Sequence, residues 1–314
     1  MNTYIEHETF VFLHIITDTA CVNSDGMEIN MEQYYLIGSP VKHSLSPLIH
    51  NTSFESAGYS ARYGLIETDE EHLEETVARL KTEKASGWNV TMPVKTAMCD
   101  FCDELSLASE IGRSVNTVKN VNGRLYGYTT DGIGLFNALA KHGLIISSKK
   151  IVLLGTGGAA SAILIEAALR SAGKISVFYN QPGSAVRAEQ TAEKLKPYSE
   201  SVIRLFSYAE EGRLGKELSD ADLLINATNV GMQGGPLSGK CLVPNESYLP
   251  SSLFVCDIIY HPFETALLKM ARNCGCRSEG GLAMLVGQAA ESYRIWTGLT
   301  MPEDLILDTL TAHI

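Results

Sequence analysis

An apolar stretch that runs directly into a glycine-rich turn constrains this chain more than any other feature of its sequence. Residues 151–154 are all Ile, Val or Leu, which is typical of a strand buried on both faces of a parallel sheet. Gly155, Gly157, Gly158 and Ala159 follow, and an alanine-rich segment then predicts a helix over residues 159–171. This order is typical of a dinucleotide site, in which backbone N–H groups at the helix start bind a pyrophosphate. A purely structural turn in an α/β fold is the alternative.

Strands and helices continue to alternate after this turn. Buried strands are predicted over residues 175–179, 223–226 and 254–257. Helices are predicted over residues 187–195 and 282–298, and the second of these could pack back on the first half of the chain. Strands that alternate with helices favour a doubly wound, Rossmann-like sheet.

The first half of the chain predicts a separate α/β unit. Its strands are expected over residues 34–38, 61–67, 87–90, 115–121 and 124–128. The last two form a hairpin around Asn122 and Gly123, a pair that favours tight turns. Helices are expected over residues 46–57, 70–81 and 103–111, with Ser46 as a cap and Pro47 at the first helical position.

The length of 314 residues exceeds one comfortable hydrophobic core, so two domains with a cleft between them are expected. We expect an N-terminal extension over residues 1–30 and a dinucleotide-binding domain over residues 129–289. The substrate-binding domain is expected over residues 31–128, completed by C-terminal helices over residues 290–314.

Composition restricts the class of protein and its partners. The formal net charge is −11, which argues against nucleic acid or an anionic membrane as a partner. The seven cysteines include no repeated metal-type pair, so reduced thiols in a cytoplasm are expected and no metal site is predicted. Cys99 and Cys102 have redox or zinc spacing, but small buried residues are the simpler interpretation.

The first residues carry no clear targeting signal. The apolar run over residues 10–16 is interrupted by His14, has no basic segment before it and is too short to span a bilayer. We expect an extra strand or a loose arm. A start at Met27 or Met31 is the alternative.

Two serines follow the first predicted strand. Ser44 and Ser46 are two residues apart, and their hydroxyls could bind a carboxylate through short hydrogen bonds. Taken alone, Ser46 is more often a helix cap. The neighbouring His43 is more often a surface residue. This cluster by itself therefore does not define a site.

A third cluster offers groups suited to a polyhydroxylated ligand. Asn89, Thr91 and Lys95 occupy alternate positions, so on an extended segment they share one face. That face presents an amide, a hydroxyl and an ammonium group. Asp131, after the hairpin, is the expected partner of the lysine, and Asn116 could add another amide.

The ordered set of motifs resembles the shikimate dehydrogenase family, including its quinate/shikimate branch. The resemblance covers the chain from about Tyr34 to its end. It is carried by Ser-x-Ser-Pro, Asn-x-Thr-x-Pro-x-Lys, Asn-Thr, Thr-Asp-Gly, Gly-x-Gly-Gly-Ala, Asn-Ala-Thr, Asp-x-x-Tyr-x-Pro and Gly-x-x-Met-Leu-x-x-Gln. It implies the reversible, NADPH-dependent reduction of 3-dehydroshikimate in aromatic amino-acid (chorismate) biosynthesis.

The resemblance also implies roles for individual residues. Lys95 would be the acid/base group, with Asp131 as its partner, and Ser44 and Ser46 would hold the substrate carboxylate. Further substrate contacts would be Asn89, Thr91, Asn116, Tyr260 and Gln288. The cofactor would be held by Gly155, Gly157, Gly158, Ala159, Asn180, Arg187, Asn226, Thr228, Gly281 and Met284.

The chain departs from the family where the cofactor's ribose would bind. NADP-type members have Asn-Arg-Thr after the second strand, whereas this chain has Asn180, Gln181 and Pro182, with Arg187 further on after a slightly longer loop. No Asp or Glu lies within residues 175–186, which disfavours strict NAD selectivity. We therefore expect NADP(H), with NAD(H) as a second cofactor. Thr129 also stands where an asparagine is common in the family.

Three alternatives stay open. A quinate or dual-substrate dehydrogenase would differ in the room beside the two serines. A non-catalytic, ligand-binding regulatory homologue would keep the pocket without turnover. A bare dinucleotide-binding protein would leave the first half of the chain unexplained. The expected partners are a small-molecule substrate and a second copy of the chain in a homodimer.

Overall fold

The computed structural model describes residues 21–22, 28–29 and 31–313, and the chain separates into a unit of residues 1–31 and a unit of residues 32–314. In the first unit, strands β1 (Cys21–Val22) and β2 (Glu28–Ile29) pair antiparallel. The strand or arm expected within residues 1–19 lies outside the described residues.

The first sheet of the second unit is mixed. Its strands and helices in chain order are β3 (Glu32–Gly38), α1 (Ser46–Ser56), β4 (Ala61–Glu67), α2 (Leu73–Thr82), β5 (Gly87–Val90), β6 (Glu104–Leu105), α3 (Leu107–Gly112), β7 (Thr117–Val121) and β8 (Arg124–Tyr128). The strand order is β4-β3-β5-β7-β8-β6, with β3 parallel to both of its neighbours and β7 antiparallel to both of its own.

The second sheet is wholly parallel and has the doubly wound topology. Its elements are α4 (Asp131–Lys141), β9 (Lys150–Leu154), α5 (Gly158–Leu169), β10 (Lys174–Tyr179), α6 (Pro182–Leu195), β11 (Val202–Ser207), α7 (Arg213–Leu218), β12 (Leu223–Asn226), β13 (Phe254–Asp257), α8 (Ala266–Asn273), β14 (Arg277–Glu279), α9 (Gly281–Thr297) and α10 (Glu303–His313). In the order β11-β10-β9-β12-β13-β14, the chain first adds strands on one side of β9 and then on its other side, while all strands stay parallel. A reversal of this kind opens a crevice at the carboxyl ends of the strands, where ligands bind in such folds.

Helix α9 belongs to both halves of this unit. Tyr293 and Trp296 are buried with Tyr34 and Phe54 in the core of the first sheet, and Trp296 Nε1 donates to the Val118 carbonyl over 2.9 Å. Met284, near the start of α9, packs in the core of the second sheet. Helix α9 therefore packs back on the first half of the chain.

Local structure differs from the sequence prediction at several helix starts. Ser46 is the first residue of α1 and caps nothing, because Leu45 holds the N-cap position without a side-chain hydrogen bond. The helix predicted over residues 103–111 is shorter, since Ser106 caps it and accepts from Ser109 N. The loop expected before Arg187 is instead the first turn of α6, which begins at Pro182, a residue whose fixed φ suits that position.

The hairpin turn is as predicted. Asn122 and Gly123 have φ of 54° and 88°, the pair of positive values that a tight two-residue turn requires. In the described part of the chain, no helix is long and apolar enough to cross a membrane. The same residues contain no group of three or more His, Cys, Asp or Glu that could hold a metal ion.

Candidate active site

A cavity of about 240 Å³ lies where the end of β5, the start of α4 and the start of α9 meet. Every residue that the sequence assigned to catalysis or substrate binding lines it, as do Gly281 and Met284. The rest of the lining is apolar and was not predicted: Leu36, Val90, Ile258 and Leu285. The cavity therefore combines apolar walls with a few polar groups, as small-molecule sites generally do.

Lys95 and Asp131 form an ion pair inside this cavity. Lys95 Nζ lies 2.8 Å from Asp131 Oδ2, and the side chains are 27% and 13% exposed. Asp131 is the first residue of α4, where the helix dipole favours a carboxylate. Its other oxygen, Oδ1, accepts from Asn116 Nδ2 over 2.8 Å. The carboxylate is thus held from two sides, and it fixes the position of the ammonium group.

The orientation of Asn116 is itself determined by its neighbours. Its Oδ1 accepts from the backbone N–H of Thr130 over 2.9 Å and from the Thr117 hydroxyl over 3.0 Å. A backbone N–H can only donate, so the amide NH₂ must point the other way, toward Asp131. Asn116 therefore offers a donor, and not a second acceptor, to the carboxylate.

Asn89 is almost fully hydrogen-bonded within the protein. Its Oδ1 accepts from the Tyr63 hydroxyl over 2.8 Å, and its Nδ2 donates to Thr117 Oγ1 and Ser292 Oγ, each over 3.0 Å. Ser292 Oγ and Thr117 Oγ1 are 2.7 Å apart. These buried groups connect the first sheet to α9. Sequence reasoning missed Tyr63, Thr117 and Ser292, because they resemble ordinary strand and helix residues.

Burial raises the pKa of the Tyr63 phenol well above its ordinary value, although a hydrogen bond with Ser46 opposes the shift. The phenol therefore stays protonated and donates to Asn89. His50, one turn after Ser46 on α1, stacks on Tyr63 with ring centroids 4.4 Å apart. Burial lowers the pKa of His50 to about 3, so this ring is neutral.

The two serines lie together at the cavity wall. Ser44 Oγ donates to Ser46 Oγ over 3.1 Å and accepts from the Ser46 backbone N–H over 3.2 Å. Because Ser46 is not used as a helix cap, its hydroxyl is not committed to the backbone of α1 and can turn toward a ligand. The pair could therefore receive a carboxylate, as the sequence suggested.

Two further side chains come from the second half of this unit. Gln288 Nε2 donates to the Leu285 carbonyl over 3.0 Å, which leaves its amide oxygen available at the cavity. Tyr260 is 41% exposed at the same cavity. Helices α4 and α9 cross very closely here, since a Cβ on Gly134 would lie 2.2 Å from Gln288 N. The crossing places Gln288 next to the start of α4.

The glycine turn leaves room for a dinucleotide. Gly155 has a φ of 107°, and a Cβ there would lie 2.9 Å from the Ala227 carbonyl oxygen. A Cβ on Gly157 or Gly158 would meet nothing within 4 Å. The start of α5, with Ala159 in its first turn, therefore presents backbone N–H groups to open space, which fits a pyrophosphate.

The remaining predicted cofactor residues lie around this turn and do not line the 240 Å³ cavity. Asn180 follows β10, and Arg187 lies on α6 beside Gly155 and Ser161. Asn226 ends β12, where its Oδ1 accepts from the Thr228 hydroxyl over 2.7 Å.

Asp257 holds the loop that follows Asn226 in place. It was not predicted as a site residue. It is fully buried and accepts from Asn226 Nδ2, from the Ile259 backbone N–H and from the Thr265 hydroxyl. Burial raises its pKa. Its hydrogen bonds join the ends of β12 and β13 to the N-cap of α8, so its contribution is to hold the loops in place.

Comparison with known proteins agrees with this arrangement. The family model for the shikimate dehydrogenase substrate binding domain matches residues 36–118, and that for the shikimate 5'-dehydrogenase C-terminal domain matches residues 281–311. The shikimate dehydrogenase (NADP(+)) of Listeria monocytogenes serotype 4b is 38% identical over 275 residues, which are 88% of this chain and 94% of the relative. That of Lactococcus lactis subsp. cremoris is 42% identical over 273 residues, 86% of this chain and 93% of the relative.

Solved structures show the same architecture. The shikimate 5-dehydrogenase of Listeria monocytogenes, in complex with shikimate and NAD, superposes with a TM-score of 0.87 at 37% identity, covering 93% of this chain and 99% of that one. The 5-ketofructose reductase of a Gluconobacter strain, in its ligand-free form, superposes with a TM-score of 0.79 at 28% identity, covering 90% and 99%. The chain belongs to the shikimate dehydrogenase family.

Proposed function

We propose that this chain is an NADP(H)-dependent oxidoreductase that reversibly reduces 3-dehydroshikimate to shikimate in aromatic amino-acid biosynthesis. The observation that carries the proposal is the Lys95–Asp131 pair at 2.8 Å in a cavity that also contains the Ser44–Ser46 hydroxyls. The Listeria and Lactococcus relatives are shikimate dehydrogenases, and the solved Listeria structure contains shikimate.

The substrate fits the groups that line the cavity. Ser44 and Ser46 would hold its carboxylate, because two hydroxyls 3.1 Å apart can each donate to one oxygen once the Ser44 hydroxyl turns from Ser46 to the ligand. Its ring hydroxyls would meet the remaining polar side chains: Asn89, Thr91, Asn116, Tyr260 and Gln288. Leu36 and Leu285 would pack against the ring. A strongly polar, anionic ligand is thereby held although the chain as a whole is negative.

Lys95 would act at the oxygen of the carbon that is oxidised or reduced. Negative charge grows on this oxygen during ketone reduction, and a cation within hydrogen-bond reach stabilises it and can supply the proton. Asp131 keeps the ammonium group in place, and Asn116 keeps Asp131 in place. The nicotinamide, when bound, supplies the hydride. Gly281 and Met284 would border it, since both line the cavity at the start of α9.

We propose NADP(H) as the main cofactor and NAD(H) as a second one. Both curated relatives carry NADP(+) in their names, whereas the solved Listeria structure contains NAD. Around the open glycine turn, the cofactor would be held by Asn180, Arg187, Asn226 and Thr228. The absence of an acidic side chain within residues 175–186 supports use of the phosphorylated cofactor.

A quinate or dual-substrate dehydrogenase is the second candidate, because quinate differs only by a hydroxyl on the carbon that bears the carboxylate. A regulatory homologue without turnover is less well supported, since the Lys95–Asp131 pair is intact. We also propose the domain division at residues 31–128 and 129–289, a homodimer and a cytoplasmic location.

The direct test is a steady-state assay with four combinations: shikimate or quinate, each with NADP⁺ or NAD⁺. We expect the highest kcat/KM with shikimate and NADP⁺. Turnover of quinate alone would replace the proposal by its second candidate. Binding of shikimate without turnover of either substrate would support the regulatory alternative.

A further inference from the structure

A second and larger cavity, of about 350 Å³, lies outside the substrate cavity. It is bounded by α3 on one side and by α5 and α6 on the other, and we call it the α3–α6 groove. Gly158, the first residue of α5, lines the groove. This residue connects the groove to the glycine turn. Lys95 belongs to the walls of both cavities.

The groove is positively charged in a negatively charged protein. Lys95, Arg113, Arg187 and Lys194 all line it, and no Asp or Glu is among its lining residues. The chain carries a net charge of −11, so a cavity with four cations and no carboxylate departs sharply from the average surface. Such a cavity attracts anions.

Its cations retain free hydrogen-bond donors. Within the described residues, the Arg187 guanidinium has no hydrogen-bond or ion-pair partner. Lys194 Nζ donates to the Ile111 carbonyl over 3.2 Å, which leaves two of its three donors. Arg113 pairs with Asp100 at 2.7 Å, but both side chains are about half exposed or more, and exposed pairs of this kind are weak.

Arg113 occupies an unusual position for an arginine. It follows α3 with a φ of 48° and a ψ of 50°, the left-handed conformation that glycine and asparagine adopt most easily. Its side chain also comes from the first half of the chain, whereas Arg187 and Lys194 come from α6. A ligand in the groove would therefore be contacted from both sides.

We propose that the α3–α6 groove is a phosphate-binding site in which Arg113 acts opposite Arg187 and Lys194. The proposal rests on the proposed function where it assigns the ligand to the cofactor. Gln181 provides no cation at the end of β10, and a cation from across the groove would replace it. The ribose phosphate of NADP(H) and free inorganic phosphate share the chemistry that this site recognises.

The test is calorimetric titration of the full-length protein with 2′-AMP, 5′-AMP and inorganic phosphate. Arg113→Gln and Arg187→Gln remove a charge each. Arg124→Gln is the matched control, because Arg124 also pairs with an exposed carboxylate, that of Glu104, but lies outside the groove. Thermal melting of each variant shows that it is folded.

We expect both groove variants to weaken 2′-AMP binding by about five- to tenfold, and the control to leave it unchanged. Loss of 2′-AMP affinity with constant 5′-AMP affinity assigns the site to the ribose phosphate of the cofactor. Loss of inorganic phosphate affinity alone assigns it to free phosphate. Unchanged affinity for all three ligands in both folded variants overturns the proposal. These titrations do not depend on turnover, so failure of the shikimate assay would be recognised separately.

Discussion

The Tyr63 hydroxyl donates to Asn89 Oδ1 over 2.8 Å. This bond joins β4, the edge strand of the first sheet, to the substrate cavity. Tyr63 is 2% exposed and does not line the cavity itself. Its effect on a ligand must therefore pass through Asn89, whose amide group it orients.

We predict that Tyr63→Phe weakens both the fold and substrate binding. Loss of the hydroxyl leaves Asn89 Oδ1 buried without a donor, which should lower the free energy of unfolding by about 1–3 kcal/mol. KM for shikimate should rise several-fold. Urea unfolding and steady-state kinetics measure the two effects. Tyr59→Phe, which removes a phenol bond to Glu32, is the control. An unchanged KM would show that Tyr63 is only structural.

Ser44→Ala and Ser46→Ala should act on binding more than on chemistry. The carboxylate is remote from the reacting carbon, so its contacts are similar in the ground and transition states. We expect KM for shikimate to rise about tenfold or more, with kcat within a few-fold of wild type. Because Ser46 caps nothing, the thermal stability of Ser46→Ala should hardly change. Ser53→Ala, on the same helix but bonded to the Ile49 carbonyl, controls for helix effects. A large fall in kcat at constant KM would contradict this role.

Gly155→Val should abolish cofactor binding. The φ of 107° suits only glycine, and a Cβ would lie 2.9 Å from the Ala227 carbonyl oxygen. The strain should destabilise the fold by about 1–3 kcal/mol, and the turn should shift away from the pyrophosphate position. Gly143→Ala is the control, because Gly143 also has a positive φ but has open space around it. The measurement is NADP⁺ titration together with thermal melting. Normal NADP⁺ affinity in Gly155→Val would mean that the turn does not hold the cofactor.

Glu217 should make stability depend on acidic pH. Burial opposes ionisation, but hydrogen bonds from Lys174 and Ser176 and the charge of Lys150 outweigh it and lower the pKa of Glu217 to about 2. A carboxyl group whose pKa is lower in the folded than in the unfolded state stabilises the fold at pH values above its unfolded pKa, which is near 4.5. This contribution is lost as the pH falls from 4.5 toward 2.

We therefore expect Glu217→Gln to lower the free energy of unfolding at pH 7 by about 1.5–3 kcal/mol. The difference from wild type should shrink as the pH falls below about 4.5. Urea unfolding at a series of pH values measures it. Glu193→Gln, which affects only an exposed pair with Lys196, should show neither effect. A difference that stays constant down to pH 3 would contradict the assigned pKa.

Sequence patterns predicted the parts of the site that follow strand ends. Gly155 follows β9, a continuous apolar strand that is readily recognised. Lys95 was expected on an extended segment with Asn89 and Thr91, but β5 ends at Val90 and Lys95 lies in the turn that follows. The Ser44–Ser46 hydroxyls were also found, although the capping role of Ser46 was wrong, because Ser44 and Leu45 already form the turn that precedes α1.

Other parts could not be predicted, because tertiary packing decides them. Helix α4 was missed, since Gly132 and Gly134 have low helix propensity. They are needed because a Cβ on Gly132 would lie 2.5 Å from the Ala162 carbonyl oxygen, where α4 packs on α5. Tyr63 and Ser292 were missed for a similar reason. Their hydrogen bonds to Asn89 join residues distant in sequence, and no local pattern marks them.

The most direct test of the whole account is turnover by Lys95→Ala with shikimate and NADP⁺. If Lys95 is the acid/base group, kcat should fall by about 10²–10⁴, while thermal stability and NADP⁺ affinity stay near wild type. Lys149→Ala is the matched control, because Lys149 also pairs with an aspartate, Asp222, at 2.8 Å but lies outside the substrate cavity. It should retain full turnover. A folded Lys95→Ala enzyme with near-native kcat on shikimate would contradict the account.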